Sequence, residues 1–288
     1  MKTNQKPSQS LPANTRRQFI RNVSMATLAV WGAPLQRLTA QDVADLQSQV
    51  TLRFAVASDL HYGQPATAYR EMTQTILRQL NKFHNEFPLE FCVFNGDLIH
   101  NEPMFLQQVK NEFMQLSTSW YVTRGNHDMV GLKDWIDVFG YPFNHTVEHQ
   151  KSLIVLADTS NEKGTYLSPD LDWLKKQLDK GKSYQHVFLF LHIPQAPWTA
   201  NSVDTPAFFD LLRRYSNVRA VFHGHEHDQD GMRTERAIPY IFDAHVGGNW
   251  GTPYRGFRVV ELLKDNSFVT YMMNPAEKMK EDKWKIYV

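Results

Sequence analysis

The sequence contains a single cysteine, Cys92, among its 288 residues. A disulfide within the chain is therefore impossible, and the fold depends on packing and polar contacts alone. The cysteine lies in the apolar run 91–94, which predicts a buried and unreactive thiol.

Long apolar runs and a strong charge imbalance are also absent. The apolar stretch 23–35 has 13 residues, whereas a helix needs about 20 to cross a bilayer. The formal net charge of the whole chain is only +1. We therefore expect no stable membrane insertion, and no nucleic-acid partner bound through general electrostatic attraction.

Acidic residues are missing from the first forty positions, and the first one in the chain is Asp42. The same segment contains six basic residues, of which Arg16 and Arg17 precede the apolar stretch 23–35. Paired arginines before a short apolar segment and small residues resemble a twin-arginine signal, which directs the export of folded proteins. We therefore expect a signal peptide over residues 1–40.

Removal of residues 1–40 would change the extent of the mature domain and its net charge. Cleavage after Ala40 leaves a domain of residues 41–288, although Leu38 is bulky for the third position before the cut. Loss of six basic residues and no acid lowers the net charge from +1 to −5. The export machinery would then be a partner, and the protein would be periplasmic or secreted. The alternative interpretations of the segment are a disordered basic tail and a short helix of the mature fold.

Short apolar runs alternate with helical patterns along most of the chain. Strands are predicted at 51–58, 89–94, 119–123, 152–158, 186–192 and 218–224. Helices are predicted at 67–87, near 103–116, at 168–180 with Ser168 as N-cap and Pro169 in the first turn, and near 205–216. The end of the chain differs, with three strands and no helix at 238–246, 256–263 and 267–273. This order predicts one α/β domain, a two-sheet β-sandwich flanked by helices with a strand-rich C-terminal part.

Polar residues follow five of the predicted strands, at the point where each strand ends. These residues are Asp59 and His61, Asp97, Asn126 with His127 and Asp128, His192, and His225 with His227. Ligands bind at the carboxyl edge of α/β sheets, so we expect these side chains to meet there. The regularity predicts one functional site.

Imidazole and carboxylate groups without thiolate suit Zn, Mn or Fe, and the set is larger than one tetrahedral shell requires. Two ions about 3.5–4 Å apart share a ligand, and a carboxylate with two oxygens can bridge them. Asp97 is the expected bridge, because it stands alone after its strand beside Gly96. The amide of Asn126 is an unusual choice for a purely structural metal site.

The order of these motifs is similar to that of the calcineurin-like metallophosphoesterase superfamily. The motifs are D-x-H at 59–61, G-D at 96–97, G-N-H-D at 125–128, a lone histidine at 192 and G-H-x-H at 224–227. They cover residues 55 to 230, and five in order are far more specific than any one alone.

The resemblance implies a role for each matching position. Asp59, His61, Asp97 and His227 would hold the first metal, and Asp97, Asn126, His192 and His225 would hold the second. His127 would meet the substrate and stabilise or protonate the leaving oxygen, and Asp128 would orient it. A hydroxide bridging two transition-metal ions (Fe, Mn or Zn) would attack phosphorus.

Other residues near these motifs are candidates for substrate contacts. His100 follows Asp97 by three positions, and Trp198 lies in the turn-rich segment after His192. His245 and Trp250 belong to a glycine-rich segment that is predicted either as a substrate wall or as a tight turn. His223 is expected to pack or to support the metal ligands. The remaining histidines, His84, His145, His149 and His186, lack acidic partners and are expected to be structural.

The sequence therefore predicts a metal-dependent phosphoric ester hydrolase. Its expected substrates are small extracytoplasmic phosphate esters, with phosphodiesters slightly favoured over phosphomonoesters. His100 stands where the purple acid phosphatases carry a tyrosine ligand, and the D-R-G signature of the Ser/Thr protein phosphatases is absent. The alternatives are a nucleotidase or phosphomonoesterase of the same superfamily, and a non-catalytic metal-binding protein that retains the fold.

Overall fold

The computed structural model describes residues 23–29 and 36–273. Thirteen strands are present in this part of the chain. In chain order they are β1 (Val23–Ala29), β2 (Gln36–Leu38), β3 (Val50–Ala57), β4 (Phe91–Asn95), β5 (Ser119–Thr123), β6 (His145–His149), β7 (Ser152–Leu156), β8 (His186–Phe190), β9 (Val218–His223), β10 (Met232–Glu235), β11 (Ile238–Phe242), β12 (Phe257–Leu263) and β13 (Phe268–Met273).

Six α-helices connect these strands within the described residues. They are α1 (Ala40–Leu46), α2 (Tyr69–Glu86), α3 (Leu106–Phe113), α4 (Leu132–Phe139), α5 (Leu171–Gly181) and α6 (Pro206–Leu212). Short 3₁₀ turns at 47–49 and 103–105 precede β3 and α3. In the described part of the chain, none of the helices is long and apolar enough to cross a membrane.

The strands form two mixed sheets. The first has seven strands in the order β2-β1-β13-β12-β3-β4-β5, and the second has six in the order β10-β11-β9-β8-β7-β6. Pairing is parallel from β3 through β5 and from β7 through β9, so the carboxyl ends of these strands lie at one edge of their sheet. The two-sheet α/β fold predicted from the sequence is confirmed.

Successive side chains of a strand point to opposite faces of its sheet, and the two faces pack in different apolar layers. In β3, Phe54 and Val56 face the second sheet, where Phe54 packs against Phe188 and Phe222. Ala55 and Ala57 of the same strand face the helices on the outer side. Helices α2, α3 and α4 cover the outer face of the first sheet, and α5 and α6 cover that of the second. The core is thus a sandwich between two helical layers.

Several boundaries differ from those predicted. Helix α5 begins after Asp170, whose carboxylate accepts a hydrogen bond from the Trp173 N–H, so the predicted N-cap at Ser168 is wrong. The Ser168 hydroxyl is hydrogen-bonded to the Thr205 hydroxyl. Strands β6 and β10 were not predicted, because their short segments lack a clear apolar period. Helix α4 was missed although Leu132, Trp135, Ile136 and Phe139 follow the helical period, because the segment has only eight residues.

The predicted export signal overlaps the edge of the first sheet. Strand β1 pairs antiparallel with β13 on one side and with β2 on the other. Residues 1–22 and 30–35, which include Arg16 and Arg17, lie outside the described residues. The signal and its cleavage after Ala40 therefore stay a prediction. Cleavage at that point would remove β1 and β2 and would leave β13 as the edge strand.

Candidate metal centre

Five strands deliver polar side chains to one edge of the sandwich. They are β3, β4 and β5 of the first sheet and β8 and β9 of the second, as the sequence predicts. The backbone turns sharply at these points, with positive φ at Asp59 (55°), His61 (45°), Asp97 (50°) and His225 (69°). Such conformations are costly for residues other than glycine and occur where the surrounding structure imposes them. Here the β3 and β4 loops are joined by a hydrogen bond from His61 N–H to the Asp97 carbonyl, 3.0 Å.

One ligand group consists of Asp59, His61 and His227, all buried. The Nε2 atoms of His61 and His227 are 2.9 Å apart, and His227 Nε2 lies 3.3 Å from Asp59 Oδ1. The ligand atoms of all three residues lie within 4.8 Å of one another. These are the residues that the family resemblance assigns to the first metal.

A second group consists of Asp97, His192 and His225. His192 Nε2 lies 3.3 Å from Asp97 Oδ2. The same carboxylate oxygen is 3.7 Å from His61 Nε2 in the first group, so Asp97 lies between the two groups. Asn126, the remaining predicted ligand, has a buried Oδ1 atom without a hydrogen-bond partner. An unpartnered buried amide oxygen is costly unless a cation or other donor satisfies it.

The outward-facing ring nitrogens are held by backbone carbonyls. His192 Nδ1–H donates to the Asn95 carbonyl at 2.8 Å, and His227 Nδ1–H donates to the Trp250 carbonyl at 3.3 Å. His225 Nε2–H donates to the Asn201 carbonyl at 3.1 Å. Each contact leaves the other nitrogen of the ring with its lone pair, which is the form that binds metals. The donor set therefore fits two transition-metal ions of the Zn, Mn or Fe type.

The electrostatics of the site favour bound positive charge. Burial opposes ionisation of Asp59, but His192 and His227 outweigh it and lower its pKa to about 2. The pKa of Asp97 is likewise lowered by its histidine neighbours despite its burial. Burial lowers the pKa of His61 to about 3 and that of His225 to about 4, so these rings are neutral and can coordinate. The burial of His192 is outweighed by Asp97 and Asp59, which raise its pKa to about 10, so the two buried carboxylates attract positive charge, as a cation-binding site requires.

His127 lies beside both groups but belongs to neither. Its backbone N–H donates to Asp97 Oδ1 at 2.7 Å, and its ring is 4.8 Å from that of His61. The ring Nδ1–H donates to the side-chain oxygen of Asn101 at 2.7 Å. His127 is only partly buried, so its other nitrogen is open to a bound substrate.

Asp128 does not have the place that the sequence predicted. Its Oδ1 accepts the Ile99 N–H and its Oδ2 accepts the Gly125 N–H, both at 2.8 Å. Burial, together with the nearby charge of Asp97, raises its pKa to about 7. Asp128 therefore joins the loops after β4 and β5. The predicted orientation of His127 by Asp128 is wrong, because Asn101 makes that contact.

His100 lies within the site, beside a predicted ligand. Its Nδ1 is 2.9 Å from Nδ1 of His61, and its ring stacks on that of His127 with centroids 4.7 Å apart. If His61 binds metal through Nε2, its Nδ1–H donates to His100 Nδ1, and the proton of His100 then lies on Nε2. His100 can thus donate a hydrogen bond from a position next to His127.

The glycine-rich segment separates into a buried and an exposed part. His245 is buried, with Nδ1 2.5 Å from the Gly247 carbonyl, and its ring stacks on His227 at 4.8 Å. Its predicted contact with substrate is therefore wrong, because it lies beneath a ligand. Trp250 stacks on His227 at 4.2 Å and 10°, and 44% of its surface remains exposed. Trp250 therefore stays a candidate for substrate contact.

Trp198 packs against the apolar layer of the second sheet but is only partly buried, so its contact with substrate stays a prediction. Its ring lies 5.1 Å from Tyr240 and 5.8 Å from Phe209, in the apolar layer covered by α5 and α6. His223, which was expected to pack or to support ligands, donates from Nδ1 to the Leu191 carbonyl and lies parallel to Tyr240.

Two residues of the site were not predicted from the sequence. Asn101 contacts His127 as described above, and the Tyr166 ring lies 4.7 Å from that of His225 with 38% of its surface exposed. Tyr166 stands in the long connection between β7 and α5, where no motif marks it. Only the proximity of Asn101 to the G-D motif could have signalled its role.

Comparisons with known proteins agree with this geometry. A family model described as calcineurin-like phosphoesterase matches residues 52–229. The fold is similar to that of a dimetal phosphatase from Danio rerio, with a TM-score of 0.63 and 15% identity over 79% of this chain and 98% of that chain. It is also similar to calcineurin-like phosphoesterase YfkN from Bacillus subtilis, with a TM-score of 0.50 and 16% identity over 81% of this chain and 93% of that chain. None of the curated proteins matches the sequence. The range matched by the family model contains every strand-end residue from Asp59 to His227.

Proposed function

The chain belongs to the calcineurin-like phosphoesterase family and is a metal-dependent phosphoester hydrolase, and on that premise we propose that it hydrolyses small phosphate esters, diesters ahead of monoesters. The observation that carries the proposal is the pair of ligand groups, buried except for the partly buried His225, with Asp97 between them. Two groups that share a carboxylate suit chemistry at a single phosphorus atom.

We assign Asp59, His61 and His227 to one cation, and Asn126, His192 and His225 to the other, with Asp97 shared. When bound, two such cations would supply hydroxide near neutral pH and would neutralise charge on phosphate oxygens. The protein holds the ligands rigidly through the carbonyl contacts of its imidazoles, so little reorganisation is needed during the reaction.

His127 is the residue assigned to the leaving group. Its Nδ1–H is held by Asn101, so Nε2 is the nitrogen that faces a substrate. When the ring is protonated, Nε2–H can donate a proton to the alkoxide oxygen as its bond to phosphorus breaks. The hydrogen bond from the His127 backbone to Asp97 fixes the ring beside the ligand groups.

The surroundings of the ligands support the proposed preference for diesters. Phosphorus in a diester carries two organic groups, and a partly exposed ring contacts each of the two ligand groups. Trp250 stacks on His227 of the first group, and Tyr166 packs against His225 of the second. A monoester would occupy only one of these flanks, as a nucleotidase substrate would.

The test is hydrolysis of bis(p-nitrophenyl) phosphate beside p-nitrophenyl phosphate by protein loaded with Mn²⁺ or Zn²⁺. We expect a higher kcat/KM for the diester, and His127→Ala should lower kcat by about 10²–10⁴-fold with both metals retained. His149→Phe is the control, because His149 lies at the far end of β6, paired with the start of β7. Two bound metals without turnover of either ester would support a non-catalytic metal-binding protein. Loss of metal in His127→Ala would contradict its assigned role.

We also propose that residues 1–40 direct export, so that the protein acts in the periplasm or outside the cell. Paired arginines at 16 and 17 before an apolar stretch support this, as does the absence of acids before Asp42. A fusion of residues 1–40 to a reporter that functions only after export should be active, and replacement of both arginines by lysine should abolish the activity. A fusion that stays inside the cell would refute the proposal.

A further inference from the structure

Trp250 is a large aromatic side chain held at the mouth of the ligand site. One face of its indole ring is covered by His227, and the ring also lies 5.0 Å from that of His61. Nevertheless, 44% of the residue is exposed. Exposed tryptophan is uncommon on the surface of a soluble domain, and such a residue beside a cleft is a candidate for ligand contact.

The backbone around Trp250 is built to hold the ring in this place. A Cβ atom at Gly247 would lie 1.8 Å from the Leu60 carbonyl oxygen, and one at Gly251 would lie 2.4 Å from Cβ of His227. Only glycine permits this close approach, and Gly251 also has a φ of 110°. The segment is thus pressed against the loops that carry the first ligand group.

Hydrogen bonds fasten both ends of the same segment. Gly247 N–H donates to the Asp59 carbonyl at 2.7 Å, and Thr252 N–H donates to the His227 carbonyl at 2.8 Å. The guanidinium of Arg255 donates to the Gly248 carbonyl at 2.8 Å. Because His227 is held by the Trp250 carbonyl, the indole ring itself is not required for that contact. The side chain is therefore free to serve another purpose.

We propose that Trp250 binds a planar aromatic group on the substrate, a nucleobase or an aryl ester, by stacking on the exposed face of its indole. The inference rests on the proposed function, because a phosphate held by the neighbouring ligands brings an attached organic group to this ring. Aromatic stacking is tolerant of the identity of the ring, so both sources share one chemistry. Tyr166, which packs against His225 of the second ligand group, would lie beside the other organic group of a diester.

Kinetics with three diesters test the inference. The ring-bearing substrates are bis(p-nitrophenyl) phosphate and 3′,5′-cyclic AMP, and the ringless one is glycerophosphoethanolamine. Trp250→Ala should lower kcat/KM for at least one ring-bearing ester by about ten-fold or more, chiefly through KM, relative to its effect on the ringless ester. Trp250→Phe should restore most of the loss, and the ester that responds identifies the ring. An equal loss on all three esters, or no loss on any, would overturn the proposal.

A binding measurement separates this inference from the proposed function. In metal-loaded protein, AMP should quench the fluorescence of the wild type and of Trp173→Phe, but much less that of Trp250→Phe. Trp173 is the matched control, because it packs on α5 against the outer face of the second sheet. If the wild type hydrolyses none of the esters, the proposed function fails, and this quenching alone decides whether the ring site exists. Equal quenching in the two variants, or none in the wild type, would refute it.

Discussion

Asn101 should control the rate of the reaction without touching phosphorus or metal. Its side-chain oxygen accepts the Nδ1–H of His127 at 2.7 Å, and its backbone N–H donates to the His127 carbonyl at 2.9 Å. The first contact fixes both the tautomer and the orientation of the ring. The second persists in any variant that keeps the backbone in place.

The choice of substitution follows from the backbone of Asn101, which has a φ of 67°. Alanine would add strain at this angle, whereas glycine adopts it freely. Asn101→Gly therefore removes the side-chain acceptor alone. A hydrogen bond to a charged group contributes about 1.5–3 kcal/mol, which corresponds to a fall in kcat of roughly 10- to 150-fold if the imidazolium forms in the transition state.

The assay is hydrolysis of bis(p-nitrophenyl) phosphate, with metal content measured on the same samples. Asn266→Gly is the matched control, because Asn266 also has a φ of 67° but lies in the turn between β12 and β13. We expect the control to match the wild type, and Asn101→Asp to recover part of the lost rate. A kcat within two-fold of wild type in Asn101→Gly, with both metals bound, would refute the role of Asn101.

Further predictions concern stability and metal binding. Gly247→Ala should lower the unfolding free energy by more than about 3 kcal/mol, because its Cβ would meet a backbone carbonyl at 1.8 Å; Gly131→Ala, with no atom nearer than 3.7 Å, should change it little. Burial lowers the pKa of His145 to about 4, whereas a histidine in the unfolded chain becomes protonated near pH 6.5. As the pH falls between these values the unfolded state binds the proton first, so the free energy of unfolding decreases. His145→Phe should therefore reduce the loss between pH 7 and pH 5 by about 2 kcal/mol in chemical denaturation. Metal analysis should find fewer than one ion in Asp97→Ala but close to one in Asp59→Ala, because Asp97 is the ligand assigned to both ions and Asp59 is assigned to one, with its Oδ1 at 3.3 Å from His227 Nε2 and 3.8 Å from His192 Nε2.

Each of these predictions has a contrary outcome. Equal melting temperatures for the two glycine variants would show that the loop after β11 yields to an added methyl group. Parallel pH profiles of the wild type and His145→Phe would show that another group governs acid stability. Two ions in Asp97→Ala would place the shared ligand elsewhere.

The meeting of the candidate metal ligands could be predicted because each follows an apolar strand in a short motif. Asp59 and His61 follow β3 closely in the chain, and the parallel pairing of β3 with β4 brings the ends of these neighbouring strands to one edge of the sheet. No motif of this kind marks the aromatic and amide residues around the ligands. Tyr166 reaches His225 from a long connection whose path depends on tertiary packing.

The wrong assignments share a physical cause. Asp128 and His245 were placed by their distance along the chain from a motif, but a side chain near a strand end can point either into the site or beneath it. His245 is buried against the ring of His227, and its two ring nitrogens contact the Gly247 and Thr252 carbonyls. Asp128 satisfies two backbone N–H groups that would otherwise be buried without acceptors.

The sequence by itself determined the type of fold and the chemistry of the ligands, because periodicity places strands and the residues after them supply nitrogen and oxygen donors. Only the tertiary structure decided that Asn101 rather than Asp128 holds His127, and that Trp250 stacks on His227 while 44% of its surface stays exposed. Those outcomes depend on side-chain direction and on contacts between distant loops. Local sequence does not specify them, because each is a balance of burial and hydrogen bonding over the whole site.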